Sequence, residues 1–412
     1  MEQGRPDLRT ASALSPKGIK PARPAPPKKR DWSWRSQALR SLLYQVVALA
    51  FVISAGYYLL GNTLENMRLR GIKSGFDFLV QPAGFGIGES IIPFDSSESY
   101  VKAFAVGVSN TLRVSALGIV LATLLGTFIG IGRLSRNFLL RSLCGAYVEF
   151  FRNVPLLLQL FIWYFILTET LPTIEEALKP LPGVFFSKNG LQFPIPLWAD
   201  GHALTLAGMF SGLVLAVWWG RQARRHFEAT GQLRPVALPA LALLAGLGLL
   251  GWLLGGSPAA LDIPESTELN VVGGGSLTPE YMTVLMGLTV YTAAYIAEIV
   301  RGGIQAVPFG QHEASSALGL SRGMEVRLVL LPQALRVIIP PMTSQYLNLT
   351  KNSSLAVAVG YPDLVSISTT SLNQTGRAIE CIAIIMACYL TLSLLTSWFM
   401  NSYNRRSLLK ER

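Results

Sequence analysis

The chain has little charge. Of its 412 residues only 14% are Asp, Glu, Lys or Arg, against about 25% in a soluble globular domain. A soluble fold needs a charged surface, so the deficit argues against one. Histidine and cysteine are scarce too, three of each. His202, His226 and His312 stand far apart, without metal-ligand spacing, and a packing or surface role suits each better. Cys144, Cys381 and Cys388 offer no loop pair for a disulfide framework, and Cys381 and Cys388 fit packing on one helix face. No GxxxxGK[ST] phosphate loop occurs, so nucleotide hydrolysis by this chain is not expected. No Ser–His–Asp set or paired-carboxylate arrangement is suggested, which argues against a membrane enzyme.

What the chain has instead is apolar run after apolar run. Half of its residues are hydrophobic. Eight stretches have spanning character: 41–60, 109–131, 148–167, 202–219, 235–254, 281–300, 341–360 and 378–399. Each is near the ~20 residues that cross ~30 Å of hydrocarbon as a helix. Backbone groups in lipid must be satisfied within the segment, so helices are expected. The fold class is therefore an all-α integral membrane protein with about eight transmembrane helices. The seventh stretch opens on Pro340-Pro341 and holds Asn348, Lys351 and Asn352, so it needs shielding by protein.

The net charge of +11 works as an orientation device. Lys and Arg crowd residues 1–40, then recur as Arg133, Arg136, Arg141 and Arg152, as Arg221, Arg224, Arg225 and Arg234, as Arg301, Arg322, Arg327 and Arg336, and again in the closing segment. The alternate loops are richer in acids, among them Glu89, Glu98, Glu175, Glu176, Asp262 and Glu265. By the positive-inside rule both termini are cytoplasmic, and an even number of crossings agrees. The basic residues are spread over many loops, so nucleic acid is not an expected partner; the lipid membrane is.

Along the chain, 1–40 is a basic Pro-rich tail expected to be disordered, and 41–60 is a retained helix rather than a signal peptide. Residues 61–100, 170–201 and 255–280 read as outer loops, with 202–254 a bland helical hairpin between the last two. Residues 401–412 close the chain as a cytoplasmic tail.

Residues 311–332, QHEASSALGLSRGMEVRLVLLP, are the most informative polar stretch. Pro308 and Gly310 break the preceding run. Glu313–Leu318 has helix formers with small side chains, and Glu313 near the start favours the helix dipole. Gly319 suits a left-handed stop, Ser321 suits a cap on a second helix, and Leu331-Pro332 ends that segment's regular pattern. A surface connector would explain this much; so would a docking helix.

The pattern Glu313-Ala314-x-x-x-Leu318-Gly319, followed by Leu331-Pro332, resembles the EAA loop of ABC importer permeases, with Ser315 where Ala is usual. Asn110-Thr111-Leu112, the run from Tyr147 to Leu157, Ala297-Glu298 through Gly303, and Lys351 through Leu355 resemble the polar amino-acid branch of that family. The resemblance covers about 100–170 and 280–400. It implies a MetI-like five-helix permease core in two parts, 100–170 and 281–400, with the coupling loop at 305–335. The extra helix 41–60 and the insertion 171–280 are similar to those of larger permeases for general L-amino acids or glutamate, glutamine and aspartate.

Such a permease imports L-amino acids by alternating access in the bacterial inner membrane. The resemblance implies a cytoplasmic ABC ATPase docked on Glu313, Ala314, Ser315, Leu318 and Gly319 and coupled through Leu331 and Pro332. It also implies a periplasmic amino-acid-binding protein and a second permease subunit, in a heterodimer. No cofactor is held by this chain; ATP and Mg belong to the ATPase. An ion-coupled secondary amino-acid transporter is the competing reading.

Lys351 is the sharpest single residue, because a cation inside a span is costly and faces a cavity or a partner. It either meets a substrate carboxylate, aided by Asn352, Ser353 and Ser354, or snorkels, or pairs with Glu298 or Glu380. Asn110 and Thr111 are expected to begin helix two and to line the entrance, with Arg113 a weaker candidate. Glu149 with Arg152, and Glu298 with Arg301, are each three residues apart and able to meet on one helix face at an inner helix end. They are expected to hold those ends, or to brace the coupling loop.

Overall fold

A computed structural model describes residues 37–69, 71, 74–232, 234–267 and 271–407. The expected tail at 1–40 lies outside these residues except for its last four, which are helical. The chain divides into two compact units, Met1–Lys73 and Ser74–Arg412. The first contributes one helix, α1 (Gln37–Leu69). It overruns the expected 41–60 at both ends, because hydropathy marks the greasy stretch of a helix and not its ends.

The second unit holds α2 (Tyr100–Gly132), α3 (Phe138–Asn153), α4 (Leu156–Phe165), α5 (Asp200–Thr230), α6 (Ala237–Leu254), α7 (Pro279–Gln305), α8 (Phe309–Ala317), α9 (Arg322–Glu325), α10 (Leu331–Asn352), α11 (Leu364–Thr375) and α12 (Ala378–Ser407). Among the described residues seven helices are long and apolar enough to cross a membrane, or eight if the bent pair α3–α4 counts as one span. The expected count of about eight therefore stands. One end of this unit carries Arg133, Arg301 and α8 and is the basic end; the opposite one is the far end.

Helix α7 is the central pillar. Of its most apolar window 61% is buried, against 33% for α2 and 11% for α6 and α12. Its buried residues Val284, Leu288, Ile296 and Val300 join Val114 and Ala122 of α2, Leu160 of α4 and Ile338, Met342 and Leu349 of α10 in one cluster. Helices α2 and α7 run side by side at backbone distance, because Gly126 and Gly130 leave the Ala293 and Ala297 carbonyls uncovered. Small residues let helices approach where lipid offers no hydrophobic drive between them.

Three expectations need correction. The expected span 148–167 is two helices meeting at a 106° bend. Pro155 has no N–H and disfavours helix at Val154, so the ladder stops there. The side chain of Gln159 repairs the break by donating to the carbonyls of Phe151 (3.0 Å) and Val154 (2.9 Å). The expected span 341–360 is displaced. Helix α10 runs straight through Pro340 and Pro341 from Leu331, ends at Asn352, and passes into a tight 3-10 turn over Ser353–Val359. The expected tail at 401–412 begins late, since α12 is helical to Ser407.

The outer loops are more ordered than their sequences indicated. Short strands β1 (Leu178–Leu181), β2 (Val184–Ser187), β3 (Gly190–Phe193), β4 (Ile195–Pro196), β5 (Leu261–Asp262), β6 (Glu265–Ser266), β7 (Val271–Val272) and β8 (Gly275–Leu277) form there. An antiparallel sheet in the order β1–β2–β3–β8 stands at the far end, with two-stranded ladders β4–β5 and β6–β7 beside it. It joins the two loops across the α5–α6 hairpin, whose helices pack tightly on each other. Segment 75–99 is clasped to the far end as well. Arg377, just before α12, donates to the Gly75 carbonyl (2.8 Å) and to Asp77 (2.9 Å), and Glu380 accepts from the Gly75 N–H (2.6 Å).

Candidate coupling loop and polar groups of the spans

Helix α8 starts earlier than the sequence indicated. Pro308 is its N-cap, with φ −60°, and Phe309 its first residue. Gly310 lies inside its first turn instead of breaking the chain, and Glu313 lies beyond that turn, where the dipole argument loses force. The stop is as expected. Gly319 has φ +69°, the Leu320 N–H reaches the Ser315 carbonyl (3.1 Å), and the Gly319 N–H reaches that of Ser316 (3.0 Å). These paired bonds form a Schellman cap and satisfy carbonyls that the helix leaves open. Ser315 is buried, its hydroxyl donating to the His312 carbonyl at 2.9 Å. Glu313, Ala314 and Gly319 are exposed, as are the apolar Phe309 (71%) and Leu318 (79%). A short rigid helix thus presents a mixed face with two apolar corners.

Side chains tie that helix to α9 and α10. Ser321 caps α9, accepting from the Met324 N–H at 3.4 Å. The His312 imidazole contacts the buried Glu325 carboxylate. Gln333 of α10 donates to Gln311 of α8 at 3.0 Å. Leu331-Pro332 does not end the second segment. A π turn over Val326–Leu330 feeds into α10, and such a widened turn relieves the clash that Pro332 makes with the preceding ladder. One nearly continuous helical rod therefore joins the foot of α8 to Asn352.

Lys351 sits on the last turn of that rod, exposed. Neither acid considered for it pairs with it among the described residues. Glu298 is bound by Arg133 and Arg301, and Glu380 is on Gly75. Its neighbours are inward-looking: the Ser353 hydroxyl donates to the Thr350 carbonyl and that of Ser354 to the Lys351 carbonyl, both at 2.7 Å. Asn352 is half-buried.

Asn110 and Thr111 do not begin α2, which starts at Tyr100, and both are fully buried. Asn110 donates to the carbonyls of Glu89 (2.8 Å) and Pro362 (2.9 Å), and Thr111 accepts from the Leu364 N–H (3.1 Å). They fasten segment 75–99 and the start of α11 to α2. One turn on, Arg113 bonds the buried Glu89 carboxylate at 2.6 Å and lies 4.2 Å from the Tyr281 ring centroid.

Of the two pairs expected at inner helix ends, Glu298–Arg301 forms and also recruits Arg133 from the end of α2. Glu149–Arg152 does not form among the described residues. Arg152 stands 5.3 Å from the ring of Tyr295. Helix α3 climbs from Cys144 beside Gly132 to Tyr147, whose hydroxyl meets the Val290 carbonyl. Its C-terminal end therefore lies beside the middle of α7 and not at the basic end, with Glu149, Arg152 and Asn153 exposed.

Sequence reasoning passed over Gln159, Glu325 and Asp363, and took Glu89 only as one of the loop acids. The signal for Gln159 was Asn153-Val154-Pro155, a helix stop with a lone amide one turn later. Asp363 caps α11 through Ser366 (2.8 Å), and its burial pushes its carboxyl up to about 7. The Asp-Leu step before an apolar helix was legible as a cap. Glu89 and Glu325 gave no local sign, because their partners lie on other elements.

Comparison with known proteins agrees with this architecture. The profile of binding-protein-dependent transport system inner membrane components matches residues 118–408. YhdX of Escherichia coli (strain K12) is 47% identical over 93% of this chain and 98% of its own length. The general L-amino acid transport system permease protein AapQ of Rhizobium johnstonii is 45% identical over 92% of this chain and 96% of that protein. The glutamate/glutamine/aspartate/asparagine transport system permease protein BztB of Rhodobacter capsulatus is 41% identical over 90% and 95%. With a bent, glycine-packed helical core, a capped loop helix and these relatives along nearly its whole length, the chain belongs to the family of binding-protein-dependent transport system inner membrane components.

Proposed function

We infer that this chain is the permease subunit of an ABC importer of L-amino acids, moved by a separate ATPase that docks on α8. The observation that carries the reading is the loop 306–321: a stiff, capped helix with exposed Phe309 and Leu318, bonded through Glu325 and Gln333 to the rod that ends at Asn352, beside Lys351. A push on α8 has a mechanical path into the bundle. The amino-acid class rests on the close likeness to AapQ and BztB.

In this reading the basic end faces the cytoplasm of a bacterial cell, following the excess of Arg in its loops, and both termini lie there. ATP and Mg are used by the ATPase. A periplasmic binding protein delivers cargo to the far end, and a second permease subunit completes the pathway. Glu313, Ala314, Ser315, Leu318 and Gly319 form the docking helix, with Leu331 and Pro332 at the root of the rod. Glu298 with Arg301 and Arg133 holds the basic end together, while Glu149 and Arg152 are left to movements at the α3–α4 bend. Lys351 meets the substrate carboxylate. Ser353, Ser354, Asn110 and Thr111 shape the walls around it by fixing backbone, and the half-buried Asn352 lies next to it in the chain and joins them.

The test is reconstitution of the full complex in liposomes with labelled L-glutamine. Uptake is expected to require ATP, the ATPase and the binding protein, and Lys351→Ala is expected to lower it at least tenfold while the complex still assembles. Uptake by this chain alone on a proton or sodium gradient would refute the reading. Uptake by the Lys351→Ala complex within twofold of wild type would remove Lys351 from the substrate path.

A further inference from the structure

At the far end a cavity of about 520 Å³ is lined by Gly88, Glu89, Ser90, Arg113, Ser276 and Thr278. That size is within the range of small-molecule sites. A second cavity of about 400 Å³ shares Gly88, Glu89 and Thr278 with it, so these residues form the partition between the two. The geometry points to the Glu89–Arg113 couple as a recognition site for the zwitterionic head of a free α-amino acid, on its way from the far face into the bundle. The inference rests on the amino-acid reading above and adds to it a second, outer site distinct from Lys351.

The chemistry is complementary on both charges. Arg113 reaches Glu89 through Nη1 and has no second carboxylate partner among the described residues. A guanidinium has five donors in a fixed fork, which suits bidentate capture of a carboxylate. Its guanidinium carbon lies 4.2 Å from the Tyr281 ring centroid, which anchors it on the cavity wall. Glu89 accepts from Arg113 on Oε1 and from Thr278 on Oε2. A carboxylate offers about four lone-pair positions, which leaves room for an ammonium. The α-carboxylate and α-ammonium of an amino acid are adjacent, as Arg113 and Glu89 are.

The site is also built in advance. Asn110 fixes the Glu89 backbone from one turn earlier on α2, and the Tyr361 hydroxyl holds the Asn110 carbonyl at 3.2 Å. Glu89 is only 8% exposed while Arg113 is 26% exposed at the side chain. An ion pair with one partner so buried is weak support for stability, since desolvation of Glu89 offsets the attraction. Its position on a cavity wall gives it a use that stability does not.

The experiment compares Arg113→Lys, Glu89→Gln and the exchanged pair Glu89→Arg/Arg113→Glu in the full reconstituted importer, with binding protein loaded with labelled L-glutamine. Assembly is checked by co-purification with the ATPase. Arg113→Lys keeps the charge and the pair but loses the fork; its uptake rate is expected to fall at least tenfold. Glu89→Gln removes the charge that meets the ammonium and is expected to fall as far. The exchanged pair restores the internal attraction but reverses the site, and it is expected to stay equally low. Recovery of more than half the wild-type rate in the exchanged pair means the couple is structural and overturns the inference. If that variant does not assemble, Arg113→Lys decides alone, and a rate above half of wild type overturns the inference. Wild-type complex without ATP-driven L-glutamine uptake overturns the functional reading and takes this inference with it.

Discussion

Gly130 of α2 and Ala297 of α7 touch through their backbones: a Cβ on Gly130 would lie 2.7 Å from the Ala297 carbonyl oxygen and 2.9 Å from Val300 Cβ. Real side chains do not occupy such positions, so the two helices must part to admit one. Gly130→Ala is expected to destabilise the bundle by about 1–3 kcal/mol, the usual range for overpacking a tight interface. Gly302→Ala, on α7 with open space around it, is the control and should be close to neutral. Thermal unfolding of the purified protein in detergent separates them; equal melting temperatures would mean that the α2–α7 contact is slack.

This contact shows what was legible in the sequence. The eight apolar runs, the loop helix and its glycine stop follow from residue type alone, because each is a local property. The α3–α4 bend did not, since spanning length was measured by hydropathy and Pro155 fell inside a good run. The passage of α10 through Pro332, Pro340 and Pro341 did not either, because it takes a π turn and tertiary support to offset the lost bonds. Asn110 and Thr111 were legible as important polar residues in a span, but not as bolts between elements. Their partners Glu89, Pro362 and Leu364 come from distant parts of the chain.

Gly319 makes a conformational demand without a spatial one. Its φ is +69°, yet a Cβ there would meet nothing within 4 Å. Gly319→Asn should therefore be tolerated, because Asn visits the left-handed region readily. Gly319→Ala should cost about 1 kcal/mol of local helix stability, and Gly319→Val more. If the cap keeps α8 rigid against its ATPase, uptake should fall in the order Asn, Ala, Val while ATP hydrolysis by the complex persists. Uptake that ignores the order would separate the cap from coupling.

Glu298 is the only carboxylate holding both Arg133 and Arg301 among the described ion pairs. Glu298→Gln leaves two guanidiniums without their counter-charge at partly exposed positions. A loss of about 1–2 kcal/mol is expected, between the values for exposed and buried pairs. In a double-mutant cycle with Arg133→Gln the two losses should not add, because both remove the same α2–α7 ion pair. Additive losses would show that Arg133 finds another partner. High salt should weaken the wild type more than Glu298→Gln, by screening the attraction only the former has.

Asp363 gives the far end a pH dependence. It caps α11 through the Ser366 N–H and lies near the Tyr389 hydroxyl (3.5 Å), but burial is the largest influence and moves its carboxyl from 3.8 up to about 7. A carboxyl raised in the folded state is protonated there at pH values where the unfolded chain is already ionised. Its contribution is therefore complete below about pH 4 and is lost as pH rises towards 7, by up to ~4 kcal/mol at 1.36 kcal/mol per pH unit. Asp363→Asn keeps a side-chain oxygen for the cap and has no proton to lose. Between pH 4.5 and 7.5 the wild-type melting temperature should drop relative to that of Asp363→Asn. Parallel curves would mean that the cap and Tyr389 hold the ionised form well enough to cancel the effect of burial.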